Sequence, residues 1–304
     1  MNPASPETPR TFWIDLHGCA KNQVDAEEIR ARLEAEGWTA REGPEGAGIL
    51  VVNTCGFIES AKKESLDAVL DLKARYPGSR VLLAGCLAQR YSEALCADLP
   101  EADGIFGNGD LSRVAEAAEA LRRGGRPVLV PGTAPPARAP RDTLFSYPRS
   151  AYLKISEGCS NRCSYCAIPL IRGDARSRDA ADVAGEARDL VSRGIFEINL
   201  IGQDLGSYGL DSLGRQALPD LLSELRRIDA FARRNTLDRF GPVRAVRPQL
   251  VFEIAFEDVE PSARRKSGIA LRRPRIVKWK DKPPEEADSL ESLKALLRDS
   301  GRSA

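Results

Sequence analysis

A run of three closely spaced cysteines constrains this chain more than any other feature of its sequence. Cys159, Cys163 and Cys166 are separated by four and three positions, and they come shortly after AYLKIS (151–156), which is typical of a buried strand. Three thiolates at this spacing can hold one face of an iron–sulfur cube. Because such a cube leaves one iron open, it has the geometry for reductive cleavage of S-adenosylmethionine.

Two other interpretations of these three cysteines are open. A zinc site usually takes four nitrogen or sulfur ligands, and His17 is the only histidine of the chain. Alternatively, the three thiols are small buried side chains without a ligand, as free cysteines often are. The spacing favours the iron–sulfur cluster over both alternatives.

Three more cysteines each follow a predicted strand. Cys19, Cys55 and Cys86 come after the apolar runs TFWIDL, GILVVN and RVLLAG. The carboxyl ends of parallel strands share one edge of a sheet, so these thiols are expected to converge there. They could each be small buried residues, but three in equivalent positions predict a second cluster. Glycines, which let the backbone approach a cluster closely, adjoin all three: Gly18, Gly56 and Gly85.

The cysteine count and the beginning of the chain predict a reducing, cytoplasmic environment. Seven cysteines are an odd number, which argues against a closed disulfide framework. The opening residues MNPASPETPR lack the apolar core of a secretory signal, and no apolar run approaches the length of a membrane span. A net charge of +1 excludes a global electrostatic attraction to nucleic acid or to a membrane.

The pattern of apolar runs predicts an α/β protein in four segments. Residues 10–125 alternate strands with helices, which indicates a doubly wound parallel domain, and the proline-rich residues 126–150 are predicted to be a linker. Residues 151–228 hold two strand–helix units, the opening of a parallel barrel. Residues 229–304 are richer in Lys and Arg than in Asp and Glu, and they predict a small β-barrel with a terminal helix. In the first segment we expect helices at 22–36, 59–75 and 110–123.

Residues 10–228 resemble a known enzyme family. HGCAKNQVDAEEI, VVNTCGFIESAKKES, LLAGCLAQRY and ISEGCSNRCSYCAIPLIRG are similar to the methylthiotransferases of the radical S-adenosylmethionine (SAM) superfamily. GCAKNQVDAE, IPLIRGDARSR and INLIGQDLGSYGLD resemble the RimO branch more than the tRNA-modifying MiaB branch. MiaB-type chains usually have Gln-Met-Asn after the first cysteine, where this chain has Ala20, Lys21 and Asn22.

This resemblance implies two 4Fe–4S clusters and SAM as cofactors. RimO-like enzymes methylthiolate the β-carbon of an aspartate in small-subunit ribosomal protein twelve, so that protein is the implied substrate, with an external electron donor as a further partner. The radical-generating cluster would be held by a group that we name the radical trio: Cys159, Cys163 and Cys166. An auxiliary cluster that supplies or relays sulfur would be held by the auxiliary trio: Cys19, Cys55 and Cys86.

Several other residues are candidates for contact with SAM. Tyr165, inside the cysteine loop, would pack beside the adenine, although core packing would equally account for it. Gln203 and Asp204 directly follow the predicted strand EINLIG (197–202) and would face the mouth of the barrel. Alternatively, they belong to a loop that begins a helix. Three arginines could contact the SAM carboxylate or an acidic substrate, or lie in a solvated loop: Arg172, Arg176 and Arg178.

The C-terminal segment resembles a different family. Residues 229–297 are similar to the OB-fold of ATP-dependent DNA ligases, which implies weak contact with DNA or RNA; a basic solvated face is the alternative. The ligase adenylation domain is absent from the chain, so ligation is not expected. With a barrel truncated near residue 228, we expect the chain to bind its clusters but to be an impaired catalyst. The implied nucleic-acid contacts are Arg272, Arg275, Lys280 and Lys282.

Three functions follow from these observations. The first is RimO-type methylthiolation of an aspartate in a ribosomal protein. The second is MiaB-like methylthiolation of a tRNA adenosine, which would be recognised by accumulation of the modified adenosine. The third is a non-catalytic, nucleic-acid-binding hybrid with a ligase-derived OB-fold, whose DNA affinity would depend steeply on salt. The cysteine motifs favour the first function.

Overall fold

The fold comes from a computed structural model, which divides the chain into two compact units. One unit comprises Met1–Arg178 and Ile195–Leu221, and the other comprises Asp179–Gly194 and Leu222–Ala304. The domain boundaries expected from the sequence stay predictions. The structure describes residues 8–136, 141–146, 149–234, 236–240, 243–246, 251–256, 258–262, 267–272, 275–280 and 287–300.

A parallel sheet of six strands forms the centre of the first unit. The strands are β1 (Thr11–Leu16), β2 (Thr39–Ala40), β3 (Ile49–Thr54), β4 (Arg80–Gly85), β5 (Gly104–Gly107) and β6 (Val128–Leu129). They lie in the order β2-β1-β3-β4-β5-β6, and all neighbouring pairs are parallel. Because the order reverses between β1 and β3, a ligand is expected outside the carboxyl ends of these two strands.

Four helices cover both faces of this sheet. They are α1 (Ala20–Ala35), α2 (Glu59–Arg75), α3 (Cys86–Asp98) and α4 (Val114–Arg122). Ile29 of α1 and Leu121 of α4 belong to one buried apolar cluster, whereas Val69 of α2 and Leu95 of α3 belong to another. Alternate side chains of β3 enter the two clusters, because successive side chains of a strand point to opposite faces. The α/β class expected from the sequence is confirmed.

The proline-rich segment contributes the edge strand β6. The backbone N–H of Ile105, in β5, donates to the carbonyl oxygen of Pro127 at 2.8 Å. A proline lacks the N–H donor but keeps its carbonyl acceptor, so it is tolerated at the first residues of an edge strand.

The rest of the first unit carries the radical trio. Its elements are β7 (Ser150–Lys154), β8 (Ser156–Glu157), α5 (Ile168–Arg172), β9 (Arg176–Ser177), β10 (Glu197–Ile201), α7 (Leu210–Leu213) and the start of α8 (Leu218–Arg234). β7 and β10 are paired in parallel, with Leu153 opposite Leu200, and β8 pairs with β9 in antiparallel register. Two parallel strands agree with the expected barrel opening, while the truncated barrel itself stays a prediction.

Among its described residues, the second unit contains the rest of α8, two further helices and three strand pairs. Asp179 caps the first of these helices by accepting hydrogen bonds from the backbone N–H groups of Ala181 and Asp182. The elements are α6 (Ala180–Ser192), β11 (Thr236–Phe240), β12 (Val243–Val246), β13 (Val251–Ala255), β14 (Asp258–Pro261), β15 (Ile269–Arg272), β16 (Arg275–Lys280) and α9 (Leu290–Ser300). β11 pairs with β12, β13 with β16 and β14 with β15, all antiparallel. An OB-like barrel stays a prediction. Within the described ranges, no helix is both long and apolar enough to span a bilayer.

Truncating Leu83 tests the core of the sheet. Leu83 is fully buried between strands and helices, so Leu83→Ala should lower the free energy of unfolding by about 2–5 kcal/mol through lost burial and the cavity left behind. Leu70→Ala is the matched control, because Leu70 is 43% exposed on α2 and should change stability by less than ~0.5 kcal/mol. Equal losses for both variants in urea unfolding would contradict this packing.

Candidate metal centre

The auxiliary trio lies at the carboxyl ends of neighbouring strands. Cys19 follows β1 as the N-cap residue of α1, Cys55 directly follows β3, and Cys86 begins α3 after β4. β1, β3 and β4 are adjacent and parallel, so the three cysteines share one edge of the sheet. Cys19 and Cys86 lie at helix N-termini, where the helix dipole favours negative groups.

Two glycines allow these three loops to approach one another. A Cβ atom added at Gly18 would lie 3.0 Å from the Cβ of Cys55, and the φ of Gly18 is +101°, a conformation that favours glycine. A Cβ added at Gly56 would lie 2.7 Å from the carbonyl oxygen of Cys86. The loop of Cys19 therefore touches that of Cys55, which in turn touches that of Cys86.

Asn22 connects two of the thiols to the end of β3. Its Nδ2 donates to the carbonyl oxygen of Thr54 at 2.8 Å. Its Oδ1 accepts from the Sγ of Cys19 at 3.3 Å and lies 3.9 Å from the Sγ of Cys86. One buried amide oxygen thus lies between two members of the auxiliary trio.

Cys86 is the buried member of the trio and has two nitrogen donors. The Nδ2 of Asn108 and the Nη2 of Arg172 each donate to its Sγ at 3.3 Å. Burial raises the pKa of the Cys86 thiol, and the positive charge of Arg172 acts in the opposite direction.

The radical trio lies on one loop between β8 and α5. The loop begins at Gly158, whose φ is +70°; a Cβ there would lie 2.0 Å from the carbonyl oxygen of Asp174, so the close approach requires glycine. Cys163 is exposed, Cys159 and Cys166 are half-buried, and all three thiols are free. The loop therefore carries one exposed and two half-buried cysteines, none of them in a disulfide.

The three residues expected to contact SAM have different surroundings. Tyr165 is 84% exposed. Asp204 accepts a hydrogen bond from the Nδ2 of Asn161 at 2.9 Å, so it anchors the cysteine loop. The Oε1 of Gln203 accepts from the Nζ of Lys21 at 2.7 Å. A cofactor contact for any of these three stays a prediction.

The three arginines of the 172–178 segment make protein contacts. Arg176 donates through Nη1 to the carbonyl oxygens of Arg172 and Asp174, each at 3.1 Å, and Arg178 donates through Nη1 to that of Lys154 at 2.7 Å. These bonds fix the segment that follows the cysteine loop. A contact with the SAM carboxylate or with a substrate stays a prediction for all three.

A group of five charged side chains, four of them buried and one half-buried, joins α1 to the strands before the radical trio. We name it the ion network: Lys21, Asp25, Lys154, Glu157 and Arg172. Lys154 pairs with Asp25 at 2.7 Å and with Glu157 at 2.6 Å, and Arg172 pairs with the same carboxylates at 2.6 and 3.1 Å. Lys21 pairs with Glu157 at 3.1 Å. Every carboxylate in the ion network therefore faces at least two cations.

The pairing determines the charge states of this network. Although burial opposes ionisation, the cations Arg172 and Lys154 hold the pKa of Asp25 below its ordinary value, and the same is true of Glu157. The carboxylates correspondingly raise the pKa of Lys154 against the effect of burial. Burial dominates for Lys21 and lowers its pKa to about 8.

Cys86 of the auxiliary trio packs against the residues that directly follow the radical trio. Its side chain packs in a small buried cluster with Ala167 and Ile171. Ala167 directly follows Cys166, so the wall around one trio adjoins the loop that carries the other.

Sequence reasoning missed Asn108 and most of the ion network. The available signal was on α1, where Lys21, Asn22 and Asp25 follow Cys19 at helical spacing and are all buried. Polar side chains on the buried face of a helix need partners, which marks them as candidates. The histidine at position 17, by contrast, lies between the carboxylates of Asp15 and Glu64, at 3.1 and 3.2 Å.

The predicted nucleic-acid contacts belong to the second unit. Arg272 is exposed at the end of β15, and Arg275 and Lys280 begin and end β16. Lys282 lies outside the described residues. Binding of nucleic acid by this segment stays a prediction.

The chemistry of the auxiliary trio is compatible with an iron–sulfur cluster. A cluster takes thiolates at separate irons, and hydrogen bonds to its sulfurs tune its reduction potential. Three free thiols at one sheet edge, approached by Asn108 and Arg172, match that requirement.

Two family descriptions match the chain. "Uncharacterized protein family UPF0004" matches residues 11–107, and "Radical SAM superfamily" matches residues 153–241. The two matches follow one another along the chain, and together they leave residues 1–10, 108–152 and 242–304 unmatched. The auxiliary trio lies in the first match and the radical trio in the second.

Several curated proteins that are similar to this chain are named RimO. A ribosomal protein uS12 methylthiotransferase RimO of Treponema denticola is 47% identical over 214 residues, covering 67% of this chain and 46% of the relative. A protein of the same name from Desulforudis audaxviator is 40% identical over 310 residues, covering 99% and 62%. The chain spans about half the length of most of the curated relatives it matches. The resemblance to the RimO branch is confirmed, while that of the tail to DNA ligases stays a prediction.

One solved structure was also similar in its chain path. The radical SAM methyltransferase TsrM of Kitasatospora setae aligns with a TM-score of 0.48 and 15% identity, over 73% of this chain and 53% of that chain. A likeness at this level does not bear on function.

A methyl group at Gly56 should disturb the auxiliary trio. In Gly56→Ala the new Cβ would meet the Cys86 carbonyl oxygen at 2.7 Å, so we expect a loss of about 1–3 kcal/mol in the free energy of unfolding and a lower iron content after anaerobic reconstitution. Gly78→Ala is the control, since a Cβ there meets nothing within 4 Å. Equal iron contents in both variants would show that this close approach does not shape the centre.

Proposed function

We propose that this chain is a methylthiotransferase that adds a methylthio group to the β-carbon of an aspartate in small-subunit ribosomal protein twelve. The reaction would use radical SAM chemistry with two 4Fe–4S clusters, one on each cysteine trio, and an external electron donor. Support comes from the paired UPF0004 and radical SAM matches and from relatives named for this reaction. A ribosomal substrate would place the enzyme in the cytoplasm.

The observation that carries this proposal is the approach of the two trios. Cys86 of the auxiliary trio packs against Ala167, which directly follows Cys166 of the radical trio. A sulfur source and a radical source must act on the same carbon, so their sites must lie near each other. Their proximity supports a methylthiotransferase over an enzyme with one cluster.

The chain's own residues would hold the two clusters and fix the segments that carry their cysteines. When bound, the cluster on the radical trio would supply the electron for cleaving SAM, which yields a radical able to take hydrogen from an unactivated C–H bond. Asp204 and Asn161 hold the loop of the radical trio in place. Asn22 and Asn108 direct amide groups at the auxiliary thiols, and the ion network fixes α1 against the strands that precede the radical trio.

Metal analysis tests the two ligand sets. Anaerobically reconstituted protein should contain about eight irons per chain if both clusters are 4Fe–4S. Replacing the radical trio with alanine should remove about half of that iron. Cys96→Ala is the matched control. Because Cys96 belongs to neither trio, this variant should retain the full iron content. Stoichiometric zinc without iron would overturn the assignment.

Variants of the two trios should also differ in which step of the reaction they lose. Alanine variants of the radical trio should abolish reductive cleavage of SAM, measured as release of 5′-deoxyadenosine. Variants of the auxiliary trio should still cleave SAM but should leave the ribosomal-protein aspartate without a methylthio group, as measured by mass spectrometry. Folded auxiliary variants that no longer cleave SAM would show that this division of roles is wrong.

A further inference from the structure

Arg172 connects the surroundings of the two trios. It is the last residue of α5, the helix that follows the loop of the radical trio, and its Nη2 lies 3.3 Å from the Sγ of Cys86 in the auxiliary trio. Its side chain is buried, so water does not compete for this hydrogen bond. An arginine from the region that matches the radical SAM superfamily therefore donates a hydrogen bond to a thiol in the region that matches UPF0004.

The position of the Arg172 guanidinium is determined by two carboxylates. Nη2 pairs with the Oδ2 of Asp25 at 2.6 Å, and Nη1 pairs with the Oε2 of Glu157 at 3.1 Å. Both carboxylates are held in turn by Lys154. Because guanidinium is a rigid planar fork, fixing its two ends on carboxylates also fixes the N–H group that faces Cys86.

We propose that Arg172 is a positioning residue that hydrogen-bonds to Cys86 in the loaded protein and raises the reduction potential of the auxiliary cluster. The proposal rests on the proposed function, since Cys86 must be a cluster ligand. Hydrogen bonds to the sulfurs are among the factors that set the potential of an iron–sulfur cluster. A fixed positive charge next to a ligand sulfur stabilises the reduced cluster, which carries one more negative charge.

Arg172 should outweigh the second donor to the same sulfur. The Nδ2 of Asn108 also lies 3.3 Å from the Sγ of Cys86 but belongs to a neutral amide. A charged donor makes a stronger hydrogen bond than a neutral one and adds a favourable Coulomb interaction with the reduced cluster. The cluster on the UPF0004 domain thus depends for its potential on a residue of the radical SAM domain.

The test uses the full chain with the radical trio replaced by alanine, so that only the auxiliary cluster is present. In this background, Arg172→Lys keeps the positive charge that Asp25 and Glu157 require but lacks the fork that reaches Cys86. Arg141→Lys is the matched control, because Arg141 is also buried and pairs with Glu27 of the same helix α1, with no cysteine in that pair. Potentials are measured by redox titration followed by electron paramagnetic resonance, and folding by thermal unfolding.

We expect a more negative potential in Arg172→Lys and an unchanged one in Arg141→Lys. A potential equal to that of the parent protein in Arg172→Lys would overturn the proposal. If the parent background itself binds no iron–sulfur cluster, the ligand assignment of the proposed function fails instead, which separates the two failures.

A second measurement needs no variant of the ion network. Protein of the same background is produced with arginine labelled with ¹⁵N in the guanidinium group, and the reduced cluster is examined by pulsed electron paramagnetic resonance. A ¹⁵N coupling to the cluster is the expected result, and its absence would overturn the proposal even if Arg172→Lys does not fold.

Discussion

The candidate centre depends on a buried set of ion pairs. Removing a charge from water costs several kcal/mol, and that cost is offset only where opposite charges and hydrogen bonds surround it. Asp25 and Glu157 meet this condition because each faces both Lys154 and Arg172. Loss of one partner would leave a buried charge uncompensated, so the arrangement of α1 against β7 and β8 is energetically well defined.

The composition of the ion network suits a negatively charged neighbour. Its cations outnumber its carboxylates, and one of them, Arg172, faces Cys86. Thiolate ligands and the cluster they hold are negative, so an excess of fixed positive charge lowers the cost of burying them. The ion network therefore joins α1 to the segment that carries the radical trio, and its excess positive charge would offset the negative charge of a cluster on the auxiliary trio.

The sheet and most of its helices could be predicted from the sequence. Long buried strands such as RVLLAG and the amphipathic helix at 59–75 coincide with β4 and α2, because their patterns extend over many residues. β5 and β6 were missed, since the first has four residues bounded by glycines and the second has two beside a proline. Such short strands are defined by their neighbours in the sheet and not by their own pattern.

The candidate site, like the fold, could be predicted from the sequence only in part. The sequence predicted that the three auxiliary cysteines would share one sheet edge, because that follows from strand order alone. It did not reveal that Lys21 would pair with Glu157 or that Arg172 would face Cys86, since these residues are 136 and 86 positions apart and meet only through tertiary packing. Spacing can indicate ligands, but it cannot indicate the partners that tune them.

The first turns of α1 carry several of these roles on one short segment. Cys19 is the N-cap residue of the helix, Asn22 accepts a hydrogen bond from the Cys19 thiol, and Asp25 pairs with Arg172. Asn22 lies three positions from both Cys19 and Asp25, and residues three or four apart are neighbours on a helix face, so Asn22 lies between the thiol and the ion network. A rotation or shift of α1 would move all three together. The geometry of the auxiliary site and the contact with the radical SAM domain are for this reason a single structural property, and neither can change independently of the other.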